Sequence, residues 1–98
     1  MDRKMNKYET VLILTNDITE EQKQKILQTT TDCIENNGTI IKIENLGLKK
    51  LAYEIKKHKE GYYILIEFET NIDKIRKLER FYRLTDEILK FIIVKKDE

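Results

Sequence analysis

The chain has 98 residues, 40% of them hydrophobic and 38% charged, with 19 Lys and Arg against 18 Asp and Glu. That length makes one domain, residues 1–98, with a modest core, because a chain of this size hides only about 60 to 65% of its extended surface on folding. The near-cancelling charge excludes a uniformly basic nucleic-acid coat, so any charge-based function must come from patches.

The opening MDRKMNKYE is charged, and no apolar run approaches the roughly 18 residues that a membrane span needs. A cytoplasmic protein without membrane association is expected. Tyr8 to Leu14 (YETVLIL) is β-branched and apolar and reads as a first strand. Thr19 then caps a helix of about Glu20 to Asn36, with Glu20 and Glu21 near its positive terminus and Gln22 completing a capping box. Ile26, Leu27, Thr30, Cys33 and Ile34 recur at helical spacing, and Asn37-Gly38 supplies a left-handed stop.

Thr39 to Ile43 (TIIKI) starts a second strand and Gly61 to Thr70 (GYYILIEFET) forms a third. Between them, Leu51, Tyr53 and Ile55 fall on one face of an extension of the second strand. A hairpin protruding beyond the sheet follows, its tip near Lys56 to Glu60, with Gly47 at a bulge and Gly61 at the turn exit. Asn71 caps a second helix with Ile72, Ile75, Leu78 and Phe81 or Tyr82 on its apolar side. Leu84-Thr85-Asp86 breaks that helix, and Ile88 to Val94 (ILKFIIV) is a fourth strand.

The order β-α-β-β-α-β, with right-handed crossovers, predicts an α+β ferredoxin-like split β-α-β fold. Its four-stranded antiparallel sheet carries both helices on one face and a protruding hairpin between the second and third strands. Strands so covered should alternate apolar and polar. These do not: Val11, Ile13, Tyr63, Leu65, Ile92 and Val94 make the uncovered face apolar as well. A contiguous apolar face on a small protein marks a partner surface, whereas scattered surface hydrophobes need no explanation.

Catalytic chemistry finds little to work with. The sequence has no Ser, one Cys and one His, so serine nucleophiles and a structural zinc site are excluded within the chain, as is an internal disulfide. Cys33 lies at helix-core spacing and His58 some 25 positions away in a lysine-rich loop, which argues against a Cys-His pair. No glycine cluster cradles a phosphate, and TNDITEEQ lacks the arginine that an acylphosphatase would place there. Neither a cofactor nor a metal is expected, and the chain is read as non-enzymatic. RNA recognition motifs share the topology, but aligning Gly61 to their glycine puts Glu60 at the basic position and Ile64 at the key aromatic one, so the stacking platform on the third strand is missing.

The hairpin offers another surface. Lys49, Lys50, Lys56, Lys57 and Lys59 face a single acid, Glu54, over eleven residues. Such lysines can contact phosphates, with Tyr53 stacking or packing among them. They can equally be a solvated edge that discourages strand aggregation. Arg76, Arg80 and Arg83 of the second helix read as a solvated face with Asp73 and Glu79 nearby.

Several stretches together resemble one family, the bacterial small-subunit ribosomal protein six. Gly47-Leu48-Lys49-Lys50-Leu51-Ala52-Tyr53 is similar to its Gly-Leu-basic-basic-Leu-Ala-Tyr signature; Tyr8-Glu9, Gly61-Tyr62 and Phe91-Ile92-Ile93-Val94-Lys95 resemble its strand entries and closing strand. Met5 lies nearer the family's usual start, and Glu54 stands where many members have a proline. The resemblance implies a non-catalytic ribosomal component, monomeric when isolated, that joins small-subunit protein eighteen and binds the central domain of small-subunit (16S) ribosomal RNA. Lys49, Lys50 and Tyr53 then take the RNA role by matching the signature, and Lys56, Lys57 and Lys59 by charge. The competing expectation is a ferredoxin-like homo-oligomer or ligand sensor that pairs through its sheet.

Overall fold

A computed structural model describes residues 4–35 and 38–96. The elements run β1 (Asn6–Thr15), α1 (Glu20–Glu35), β2 (Thr39–Ile55), β3 (His58–Thr70), α2 (Ile72–Arg83) and β4 (Ile88–Lys95). One four-stranded sheet has the order β2-β3-β1-β4, and each neighbouring pair is antiparallel. This is the expected ferredoxin-like α+β arrangement.

Local chemistry starts both helices. Gln22 N donates to Thr19 Oγ1 at 3.1 Å and Thr19 N donates to Gln22 Oε1 at 3.0 Å, so the capping box closes in both directions. Lys74 N donates to Asn71 Oδ1 at 3.2 Å at the start of α2. Leu84 ends α2 as its C-cap. The Asn37 half of the expected α1 stop lies outside the described residues. Gly38 is hemmed in, since a Cβ there would lie against Glu69 O, 3.0 Å from Ile34 O and 3.1 Å from Thr70 Cβ.

The core lies between the helices and one sheet face. Tyr8, Leu12 and Leu14 of β1 meet Ile64, Ile66 and Phe68 of β3 under Ile26 and Ile34 of α1 and Ile75, Leu78 and Tyr82 of α2. Alternation along the strands sends every second side chain to this layer. Ile72 departs from the expected apolar side of α2. It is 46% exposed, although Asn71 before it and Ile75 in the same turn are buried, because it lies about a quarter turn round the helix from the stripe of Ile75, Leu78 and Tyr82.

Three features were longer or different than the sequence predicts. β2 is continuous over Thr39–Ile55, with register shifts at Ile40/Lys42, Asn45/Gly47 and Lys50/Ile55 that let it bend without ending. Gly47 sits at the second shift with φ +86°, the expected bulge. Gly61 is not at a turn exit but inside β3, opposite Thr15 and Lys49. Its missing side chain is required by close approach: a Cβ would lie 2.6 Å from Ile13 Cγ2 and 2.9 Å from Leu14 O. β3 begins earlier, at His58, so the turn is Lys56-Lys57 alone.

Candidate nucleic-acid interface

The arm formed by the ends of β2 and β3 is built on a two-residue loop. Ile55 pairs with His58, and Lys56 and Lys57 between them have φ +48° and +68°. Positive φ at both central residues is the type I′ geometry that matches strand twist. Asn-Gly is the usual occupant, because a side-chain-bearing residue pays roughly 1 to 2 kcal/mol for the left-handed conformation. Two consecutive lysines thus hold a conformation that their type disfavours, at the most projecting point of the arm.

Pairing fixes where the other lysines face. Lys49 is opposite Gly61 and Lys50 opposite Glu60, so the two neighbours point to opposite sides of the arm. Gly61 shares its side with Ile13 and Leu51, whose Cδ2 lies 3.7 Å from where a Cβ on Gly61 would be. Lys49 and Lys59 therefore belong to the side continuous with the open sheet face, and Lys50 belongs to the other.

The arm is anchored twice. The His58 Nδ1–H donates to Asn16 Oδ1 in the β1–α1 loop at 2.9 Å. Tyr53, 62% exposed, accepts from Lys90 Nζ of β4 at 3.1 Å. In the order β2-β3-β1-β4 those strands are three spacings apart, about 14 Å. A Tyr53–Lys90 contact therefore means that the arm leans across the open face toward β4.

Electrostatically the arm carries an excess of lysine, with Glu54 and Glu60 its two acids and Glu60 opposite Lys50. Among the described residues, ion pairs join Lys23 to Glu20, Lys42 to Glu44, Arg83 to Glu79, and Lys96 to Glu9 and Glu67. None involves Lys49, Lys50, Lys56, Lys57, Lys59 or Lys90. The Arg83–Glu79 pair fits the solvated reading of the α2 arginines.

The expected partner face is brought together by the sheet. β1 pairs Val11 with Leu65 and Ile92, and Ile13 with Tyr63, so these side chains share one surface. Ile92 and Val94 are 50% and 46% exposed, while Val11, Tyr63 and Leu65 are half-buried. Ile13 departs from the expected surface: it is only 9% exposed, packed against the close-approaching Gly61 backbone beneath Leu51. The face ends at a charged cluster in which Lys96 Nζ lies 2.7 Å from Glu67 Oε2 and 3.8 Å from Glu9 Oε2. The Lys96 hydrogen bond, helped by the charges of Lys96, Lys42 and Lys7, lowers the Glu67 pKa.

Two features escape the sequence reading. Ile41, Ile43, Leu46 and Leu48 of edge strand β2 are exposed, a second apolar strip that the TIIKI and NLGL runs signal only once β2 is known to be an edge. Lys90 is the other; nothing in ILKFIIV indicates that it meets Tyr53. Cys33 is half-buried, its thiol pKa raised by burial, and its Sγ lies 3.8 Å from Lys74 O, which accords with a packed helix residue.

Comparison with known proteins places these features. The family model described as Ribosomal protein S6 matches residues 7–95. The chain is 39% identical over 95 residues to the small ribosomal subunit protein bS6 of Caldanaerobacter subterraneus subsp. tengcongensis, covering 96% of this chain and 100% of that protein. It is 40% identical over 95 residues to the bS6 protein of Clostridium perfringens strain 13, again covering 96% of this chain and 100% of that protein. Among solved structures, 30S ribosomal protein S6 from Thermotoga maritima superposes with a TM-score of 0.85 at 35% identity, covering 95% of this chain and 89% of that one.

Proposed function

The chain belongs to the ribosomal protein S6 family, and from that membership we propose that it binds the central domain of 16S ribosomal RNA jointly with small-subunit protein eighteen. It is a structural, non-enzymatic constituent of the small ribosomal subunit, associated with ribosomal RNA and other ribosomal proteins. In the proposed division of labour, Lys49, Lys50, Lys56, Lys57 and Lys59 meet phosphates with Tyr53 among them. Val11, Tyr63, Leu65, Ile92 and Val94 meet protein eighteen, with Ile13 supporting that face from below. The isolated chain is a monomer and works in the cytoplasm.

One observation carries this reading: a projecting arm whose lysines form no ion pair among the described residues stands beside an apolar sheet face on which Ile92 and Val94 stay half exposed. A local excess of lysine attracts a polyanion, and phosphate contacts dominate RNA affinity. An exposed apolar face is the mark of a protein neighbour. Near-zero net charge keeps RNA affinity of the chain alone low, which favours joint binding.

Binding to a central-domain RNA fragment, with and without protein eighteen at two salt concentrations, tests it. Tight, salt-weakened binding only with the partner present is expected. In that complex Lys49→Ala with Lys50→Ala should reduce affinity by roughly 1 to 3 kcal/mol and flatten the salt slope by about two. Absence of binding under both conditions, or a stable dimer of the isolated chain by light scattering, would favour the sheet-paired oligomer instead.

A further inference from the structure

We propose that Tyr53 and Lys90 form a composite site for one unpaired base in RNA, the tyrosine ring stacking on the base and the Lys90 ammonium taking the adjoining phosphate. The proposal rests on the RNA-binding reading above and gives it a chemical class: a single-stranded or bulged segment rather than a continuous duplex.

Geometry carries the first half. Lys90 Nζ lies 3.1 Å from the Tyr53 hydroxyl oxygen but 5.6 Å from the ring centroid. A cation over the ring face would be nearer the centroid than the hydroxyl; this one is nearer the hydroxyl. The ammonium therefore sits beyond the phenol's oxygen edge and leaves the ring faces uncovered by it. With Tyr53 62% exposed, a planar aromatic surface is presented to solvent. Unstacked RNA bases are taken up on such rings whatever their sequence, because every base has a π-face.

Charge carries the second half. Lys90 is exposed on the side of β4 that shares the open face, opposite Ile13, and has no ion pair among the described residues. Its hydrogen bond to Tyr53 spends one of three ammonium protons, and the others remain available to a phosphate oxygen. Lys49 and Lys59 lie on the same side, so a backbone leaving the stacked base continues along positive charge. The third strand here has Ile64 where an RNA recognition motif has its key aromatic. An aromatic on the arm, steadied by a lysine from the far edge of the sheet, supplies a different platform.

The test uses the full chain with protein eighteen and the central-domain RNA fragment. Tyr53→Leu should weaken binding about 10- to 100-fold, the scale of one lost base–aromatic stack, while leaving the salt slope unchanged. Tyr53→Phe, which keeps the ring and loses the hydroxyl, should bind close to wild type. Lys90→Ala should reduce the salt slope by about one, and Lys90→Arg should restore it. Because the chain contains no tryptophan, Tyr53→Trp gives a single reporter whose emission should be quenched when RNA binds. Unaltered binding by Tyr53→Leu and an unaltered slope in Lys90→Ala, with Lys49→Ala/Lys50→Ala still defective, would overturn this site and leave the RNA reading standing. Failure of the wild-type chain to bind would overturn both.

Discussion

The Tyr82 hydroxyl lies 2.9 Å from Thr30 Oγ1 in the core, joining α2 to α1 across 52 residues of sequence. Thr30 also donates to Ile26 O at 3.0 Å, which uses its only proton, so Tyr82 must be the donor to Thr30. Both side chains are almost fully buried, and burial pushes the Tyr82 phenol pKa up despite the Thr30 hydrogen bond. The chain of two bonds lets a phenol and a threonine sit in an apolar layer without an orphaned donor.

That order of donation makes the two truncations unequal. Tyr82→Phe removes a donor whose partner keeps its bond to Ile26, and should cost about 0.5 to 1.5 kcal/mol. Thr30→Val strands a buried phenolic proton and should cost more, roughly 1 to 3 kcal/mol. Urea unfolding of both variants measures the difference, and equal costs would contradict the assigned donor.

The Lys56-Lys57 turn should be improvable. Replacing it with Asn-Gly, by Lys56→Asn with Lys57→Gly, relieves two left-handed lysines at φ +48° and +68°. Stability should rise by about 1 to 2 kcal/mol, allowing for the extra unfolded-state freedom of glycine. If these lysines also reach phosphates, the same variant should lower the salt slope of RNA binding by about two. A more stable protein that binds RNA less well would explain why a strained turn is present.

Gly61 tests the close approach beneath the arm. Gly61→Ala places a methyl 2.6 Å from Ile13 Cγ2 and 2.9 Å from Leu14 O. A side chain can shift, but a strand carbonyl held in the sheet cannot shift cheaply. The expected cost is about 1 to 3 kcal/mol, read as a lowered Tm, with the Tyr53–Lys90 contact disturbed as the arm is pushed away from β1.

Lys96 and Glu67 give a pH dependence with a defined sign. The hydrogen bond from Lys96 lowers the Glu67 pKa, so the unfolded chain takes up that proton first as pH falls. The contribution to stability is fully present above the ordinary glutamate range and is lost as pH drops through the depressed value. The Lys96 pKa is raised, foremost by the Glu67 hydrogen bond, so the same contribution is lost again only in strong base, as pH rises through the raised value. Lys96→Met should be less stable than the wild type at neutral pH, with the gap closing on acidification. A gap independent of pH would assign the effect to packing instead.

Legibility in the sequence followed range. The capping box at Thr19 and Gln22 and the Asn71 cap act over three residues, and both appear where the sequence puts them. The buried stripes of α1 and α2 follow the helical period, and Ile72 lies outside the α2 stripe because it projects to one side of it. Within the candidate site, the signature at Gly47 to Tyr53 marked the arm. It did not reveal which face Lys49 and Lys50 each take, since that depends on pairing with Gly61 and Glu60.

By itself the sequence determined the order of elements, where both helices start, the apolar nature of both sheet faces and the concentration of lysine on one hairpin. Each rests on periodicity or on contacts a few residues apart, which the chain encodes locally. Only the tertiary structure decided that Ile13 lies beneath the arm, that Gly61 must lack a side chain, and that Lys90 reaches Tyr53 across 37 residues. Those relationships depend on register, on three shifts in β2 and on the lean of the arm across a twisted sheet. No local pattern specifies such displacements, because each is the sum of many small backbone rotations between distant positions.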